Sequence, residues 1–223
     1  MPELWDAVDG SIWEAATFEL VGGCTRVPLE LDPYGSIFVV FRKPTAEVER
    51  DTGPNFPTWR KVQTLAGPWD VAFDPAWGGP EKPVRFERLT SWTEHDNAGI
   101  QYYSGTAVYR TTFQIDRDSA GQALAIELGQ VRDLGIARIR LNGTDLGVVW
   151  RPPFRANAAG AVKLGENELE IEVVNSWRNR LIGDRDLPEE KRRTRTNITI
   201  TEAWRLEPSG LLGPVTLSIE SNR

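Results

Sequence analysis

The chain has 223 residues, 26 Lys and Arg against 32 Asp and Glu, and a net charge of −6, with 40% hydrophobic and 26% charged residues. That balance describes a globular chain with one substantial core rather than a disordered one, and its acidity excludes a general nucleic-acid binder, whose affinity rests on neutralised phosphates. A single cysteine (Cys24) and a single histidine (His95) exclude an internal disulfide and any zinc site built from several such ligands, and no run approaches the ~20 apolar residues that cross a bilayer.

The start, Met1 to Trp5, has neither the basic residues nor the apolar run of a secretion leader. This predicts either intracellular residence or a segment that begins partway through a longer parent. Period-two alternation then dominates. Ile37, Val39 and Phe41 share one predicted strand face, with Phe38 and Val40 on the other. Residues 43–60 are polar, rich in Pro and Gly, and without periodicity, which places a boundary there. The expected organisation is an N-terminal β segment over residues 1–45, a linker over 46–58, and a main domain over 59–223. About three strands precede the linker, too few to stand alone comfortably, so they are expected to pack on the main domain or to end a preceding one.

Beyond the linker, Trp69, Val71 and Phe73 alternate, followed by Ala107 to Ile115, Leu124 to Leu128, Ala137 to Leu141, Leu169 to Val173, Ile198 with Ile200, and Val215 to Ile219. Asn142-Gly143 between two such runs is a hairpin signal, because both positions accept positive φ. Asn97-Ala98-Gly99, Gly165-Glu166-Asn167 and Ser209-Gly210 read as further turns. Asp186 to Lys191, with Pro188 in its first turn, predicts one short helix. Strands every ten or so residues without intervening helices predict an all-β sandwich. The 9 Trp among 20 Gly and 15 Pro predict an aromatic-rich core, a sugar platform, or some of each.

The run Leu128-Gly129-Gln130-Val131, then Ala137 to Gly147 through Leu141-Asn142-Gly143, resembles the galactose-binding-like sugar-binding domain attached to glycoside hydrolases. Ser104 to Tyr109 before it and Leu164 to Leu169 after it follow the jelly-roll order of the family 2 β-galactosidase/β-glucuronidase accessory domain. Trp150-Arg151-Pro152-Pro153-Phe154 and Asn175 to Asp184 resemble the C-terminal region of glycoside hydrolase family 106, the α-L-rhamnosidases, and residues 27–43 resemble the segment before it. The resemblance covers nearly the whole chain. It implies a galactose-binding-like β-sandwich or jelly roll with a short N-terminal β segment, and a secreted or periplasmic parent. In that family the catalytic carboxylates sit on a separate, larger upstream domain, so the resemblance implies an accessory module, with a catalytic glycosidase domain as its partner. Galactose-binding-like modules commonly carry a structural calcium; Asp184 and Asp186, with Asp145 and Glu166, are the candidate oxygens here, although no contiguous calcium loop is present. No other cofactor is implied.

Sugar recognition needs flat apolar faces for the CH-rich side of a pyranose and a few fixed donors and acceptors for its hydroxyls. Trp150-Arg151 and Trp177-Arg178-Asn179-Arg180 offer both, on loops that follow strands. Arginine forks also suit a uronate carboxylate, as in pectic rhamnogalacturonan. The plainer reading makes Trp150 and Trp177 plugs at one end of the sandwich and ties Arg178 and Arg180 to Asp184 and Asp186. His95, inside Trp92 to Asp96, and Tyr102 are expected to line the same end; otherwise His95 is a loop residue bonded to Asp96 or to backbone. Trp5, Trp13, Trp59, Trp69, Trp77 and Trp204 are expected in the core or between segments, with Trp59 or Trp77 as a second-choice platform. The basic run Lys191 to Arg195 reads as a solvated face.

Three functions remain in play. The leading expectation is a carbohydrate ligand bound without cleavage, with no nucleic-acid or membrane partner. A purely structural accessory module is the second. The third is a small glycosidase using a carboxylate pair, about 5–5.5 Å apart for retention or 6.5–9.5 Å for inversion, with Glu94, Asp96 and Asp184 as the acids to test. The sequence sets no oligomeric state.

Overall fold

The computed structural model describes residues 1–42, 44, 53–116 and 122–221. Residues 46–52 of the expected linker lie outside the described residues. By contacts the chain divides into two compact units that part at Arg60/Lys61, with the described residues from Glu220 onward grouped with the first.

In the smaller unit, strand β1 (Pro2–Asp6) is central, flanked by β2 (Ile12–Glu14) and β5 (Ile37–Phe41); β3 (Glu19–Val21) and β4 (Cys24–Arg26) form a separate hairpin. Leu4 is fully buried. Glu3 is also buried and is held by Arg42 (2.7 Å) and Trp5 Nε1 (3.0 Å), while the Arg42 guanidinium lies over the Trp5 ring. Asn55 acts as a clip: its amide donates to the Thr17 and Pro28 carbonyls and accepts from Thr17 N–H. The alternation expected in β5 is incomplete, because Phe38 and Phe41 are both exposed. β5 is the edge of its described sheet, bonded to β1 alone, so burial does not impose one face on it.

The larger unit is an all-β sandwich. Its strands are β6 (Thr58–Leu65, from Lys61 onward), β7 (Trp69–Phe73), β8 (Val84–Phe86), β9 (Thr106–Ile115), β10 (Leu124–Glu127), β11 (Gln130–Arg132), β12 (Ile136–Leu141), β13 (Thr144–Val149), β14 (Arg155–Asn157), β15 (Gly165–Val174), β16 (Gly210–Gly213) and β17 (Val215–Ser221, as far as Ile219). One sheet has the order β13-β12-β15-β9-β7-β8, the other β14-β10-β17-β6, and β11 pairs with β16. The alternating side chains predicted from the sequence meet in one core, including Trp69, Val71, Tyr109, Ile139, Leu141, Leu169 and Ile171 from the first sheet and Leu124, Ile126, Val215 and Leu217 from the second. Each fully buried side chain of this size contributes roughly 1.5–3 kcal/mol. The opposite face of the first sheet carries an ionic ladder: Arg110 to Glu170, Arg140 to Glu170 and Glu172, and Arg138 to Asp145.

Asn142 (φ 52°) and Gly143 (φ 80°) turn the β12–β13 hairpin as expected. Three local expectations change. Gly165 to Asn167 begin β15 rather than a turn, with the Asn167 amide buried and bonded to Lys163, Gly165 and Asn142. The helix expected over 186–191 shrinks to a 3-10 turn, Glu189–Lys191. Ile198 and Ile200 lie on no strand; they belong to an irregular segment between residues 185 and 209. Helices α1 (Ala98–Gln101) and α2 (Arg178–Asp184) were not anticipated. The inner face of α2 is Asn179, Arg180 and Asp184, all buried and polar, so no apolar period announces it.

Candidate functional site

Register places the loops that matter. Phe73 faces Ala107, Ala107 faces Val173, Val173 faces Ala137, and Ala137 faces Val149, one row across five strands. Trp77, Tyr102, Trp177 and Trp150 all leave the sheet just beyond this row, at one end. Trp150 lies two strands from β15, roughly 10 Å at ordinary strand spacing. It is 56% exposed and makes no ring contact with Trp77 or Trp177 among the described residues. Arg151 beside it is half-buried and donates to the Pro152 carbonyl.

Trp77 and Trp177 do meet. Their ring centroids are 5.1 Å apart at 70°, and the rings are 39% and 49% exposed. Two edge-to-face indoles form an apolar corner open to solvent, a shape that fits the CH face of a sugar ring. Trp77 is displayed by a 3-10 turn, Pro75–Trp77, capped by the Asp74 carboxylate and ended by Gly78 at φ 90°. That signal, Asp-Pro before the Trp and Gly-Gly after it, is present in the sequence. Trp177 is the residue immediately before α2, where Arg178 N–H donates to Ser176 Oγ.

The remaining residues of the Trp177 run hold the fold around this corner. Asn179 is fully buried; its amide donates to Glu207 O (2.8 Å) and Ser209 Oγ (3.2 Å) and accepts from Glu207 N–H (2.9 Å). It therefore presents no atom to a ligand. Arg178 lies over the Trp204 ring at 4.8 Å, donates to Arg205 O and pairs with Glu207. Arg180 is buried against Asp184, Nε to Oδ1 3.2 Å. Burial pushes its guanidinium pKa down, and the Asp184 charge opposes that shift. Tyr102 is half-buried against α2: a Cβ added at Gly183 would stand 2.7 Å from the Tyr102 Cβ and 2.5 Å from Arg180 Nη2. Trp204, expected in the core, is half-buried beneath Arg178.

His95 has other neighbours. Its ring lies 5.5 Å from Phe86 of β8, and Nδ1 accepts from Asn97 N–H (3.0 Å). Phe86 pairs with Trp69, at the far end of β7 from Trp77. The flanking acids Glu94 and Asp96 are exposed, and Glu94 borders a shallow, open depression of 410 Å³ with Arg88 and Gln130.

Asp184 is committed to structure. Oδ2 accepts from Arg193 N–H (2.9 Å), Thr194 N–H (2.8 Å) and Thr194 Oγ (2.7 Å), while Oδ1 faces Arg180. Asp186 is paired with Arg185, which holds its carboxyl below the usual carboxylate range. Asp145 is likewise held down by Arg138, to about 2. Among the described residues, no three His, Cys, Asp or Glu side chains converge as metal ligands. A calcium ion at Asp184 would have to displace these donors, so that acid does not fit one; Asp186 stands exposed beside Arg185. No described helix is long and apolar enough to cross a membrane.

Comparisons place this geometry among known proteins. No family model matches the chain. A Formosa agariphila protein provisionally named a beta-glucuronidase is 39% identical over 181 aligned positions, covering 70% of this chain and 15% of the relative. The solved rhamnosidase of Novosphingobium sp. PP1Y superposes with a TM-score of 0.86 at 39% identity, over 98% of this chain and 20% of that one. A Ruminococcus gnavus β-glucuronidase, 18% identical, matches with a TM-score of 0.50 over 75% of this chain and 30% of its own, a likeness of fold alone. The chain thus spans about a fifth or less of the two 39%-identical proteins, and it is related to glycoside hydrolases.

Proposed function

We propose that this chain is a galactose-binding-like, jelly-roll module of a rhamnosidase-type glycoside hydrolase, binding carbohydrate without cleaving it. The observation that carries the reading is the Trp77–Trp177 corner: two solvent-facing indoles 5.1 Å apart, fixed by a capped turn on one side and a helix start on the other. Contiguous exposed apolar surface, unlike a single exposed ring, marks an interaction site, and here two indoles stand side by side. Arg193 adds a polar edge, donating to Ala76 O beside the corner (2.8 Å) and running past Gly78, where an added Cβ would meet its Nε at 2.6 Å. Trp150 stands along the same end as a second contact for a longer glycan.

The catalytic alternative has little to work with. Asp184 already accepts three donors and faces Arg180, and Glu94 and Asp96 lie toward the β8 side of the sheet with His95. The structural alternative has one observation in its favour: the solved rhamnosidase is five times longer than its match to this chain, so the same indoles are also suited to packing against another part of such a parent.

Single-site affinity is expected to be weak. A Kd around 1 mM corresponds to about −4 kcal/mol, and attachment to a hydrolase or a polymeric ligand raises the effective affinity. Trp177→Ala is predicted to abolish retardation in polysaccharide affinity gels while leaving the melting temperature within a few degrees. Unchanged migration of the variant would overturn the assignment of the corner, and no retardation of the wild-type chain on any glycan would favour the structural alternative.

A further inference from the structure

A cleft of 370 Å³ opens beside α2, lined by Leu181, Arg185, Arg192, Arg195, Ile198 and Ile200 among others. Its arginines are not equivalent. Arg185 is neutralised by Asp186 and also donates to Thr201 O. Arg192 is fixed by two backbone carbonyls, Leu187 O (2.7 Å) and Arg185 O (3.3 Å), bonds that orient its guanidinium; it makes no ion pair among the described residues, although its charge also acts on the Asp186 carboxylate. Arg195 is exposed and makes no hydrogen bond or ion pair among the described residues. The cleft therefore holds one rigid and one free guanidinium beside three aliphatic side chains. No aromatic ring lines it, which disfavours a nucleobase.

The cleft adjoins the tryptophan corner. Leu181 N–H donates to Trp177 O (2.9 Å), so the two side chains share one face of α2 a turn apart, roughly 5–6 Å between Cβ atoms. Arg193, between Arg192 and Arg195, touches Ala76 of the Trp77 turn. A chain of sugars stacked on the indoles thus meets the cleft with its next unit. Arg178 and Arg180, the arginines expected to meet an acid, are engaged around α2, and Arg192 and Arg195 carry the same chemistry in the segment after it.

We propose that this cleft takes a carboxylate-bearing sugar, a uronic acid unit, with Arg195 and Arg192 on the carboxylate and Ile198, Ile200 and Leu181 against the ring. Guanidinium forks match a carboxylate in shape and charge. Two acids also line the cleft: Asp184, buried and paired with Arg180, and Glu189, which rims it and moderates the attraction. The inference rests on the corner reading for the neighbouring sugar only.

The test is calorimetric titration of the chain with glucuronate- and galacturonate-terminated disaccharides, their neutral hexose counterparts, and a 6-sulfated hexose disaccharide. The acidic disaccharides are predicted to bind more tightly than the neutral ones, with the preference fading as salt rises. Arg195→Gln should weaken the acidic ligands roughly tenfold or more and leave the neutral ones unchanged. Glu189→Gln should strengthen the acidic ligands alone, and Trp177→Ala should weaken both classes. Neutral binding without an acidic preference, or a preference that survives Arg195→Gln, would overturn this inference and leave the corner reading standing. Stronger binding of the sulfated sugar than of the uronates would overturn the carboxylate assignment. No binding of any ligand would overturn both readings.

Discussion

The Tyr109 hydroxyl sits at the centre of the sandwich and accepts two hydrogen bonds, from Trp92 Nε1 (2.5 Å) and from Leu211 N–H (3.1 Å). Burial pushes its phenol pKa up, so the ring stays neutral while folded. Tyr109→Phe removes one oxygen and strands two buried donors, a loss expected to cost about 2–4 kcal/mol. Urea unfolding should show a lower midpoint with an unchanged slope; an unchanged midpoint would mean that the donors find another acceptor. At the surface, Arg138 lowers the Asp145 pKa from 3.8 to about 2. A carboxyl whose folded pKa is depressed adds stability above its unfolded value and loses it as pH falls through the folded one. The Asp145 contribution is therefore present at neutral pH and disappears between about pH 4 and pH 2. In Asp145→Asn the acid limb of a melting-temperature profile should be flatter over that interval, and salt should diminish the difference.

At the scale of elements, α2 and the irregular segment after it act as one device. Arg178 holds residues 204–207, Asn179 holds Glu207, and Asp184 holds Arg193 and Thr194. About 25 residues, irregular apart from the Glu189–Lys191 turn, are thereby tied to three polar side chains of a seven-residue helix. Removing Asp184 also leaves Arg180 buried and without its counter-charge. Asp184→Ala is predicted to cost about 3–5 kcal/mol and to open residues 186–200 to limited proteolysis, whereas Arg195→Gln on the same segment should change neither. A protease map identical to the wild type would contradict the anchoring role.

The same elements explain what the sequence disclosed. Strands such as β9 and β15 alternate cleanly because one face meets a core and the other an ionic ladder, and a period of two records that division. Asn142-Gly143 is readable because its turn requires positive φ twice. The α2 helix was hidden because its inward face is amide, guanidinium and carboxylate, so the side chains expected to meet sugar are the ones that tie the loops. Trp150 and Trp177 do emerge at one end of the sheet. Trp77 joins Trp177 only because register brings β7 and β15 to the same row, a relation between residues 100 apart that local pattern does not encode. His95 packs its ring on Phe86 and bonds to the Asn97 backbone, which is its plainer expected role as a loop residue.

For the molecule as a whole, the larger unit has a continuous core, and three exposed indoles, Trp77, Trp150 and Trp177, stand at its loop end. In the proposed function that end serves recognition by stacking, because Asn179, Arg180 and Asp184 beside the corner are already bonded to the chain. The decisive measurement is a ¹⁵N-indole titration of the chain with a polysaccharide-derived oligosaccharide selected on a glycan array. The Nε1–H resonances of Trp77 and Trp177 should shift with saturation while those of the buried Trp69 and Trp92 stay fixed, and the sugar should be recovered uncleaved. Uniform shifts across all four indoles, or release of reducing ends that stops on amide substitution of a single acid, would contradict the account.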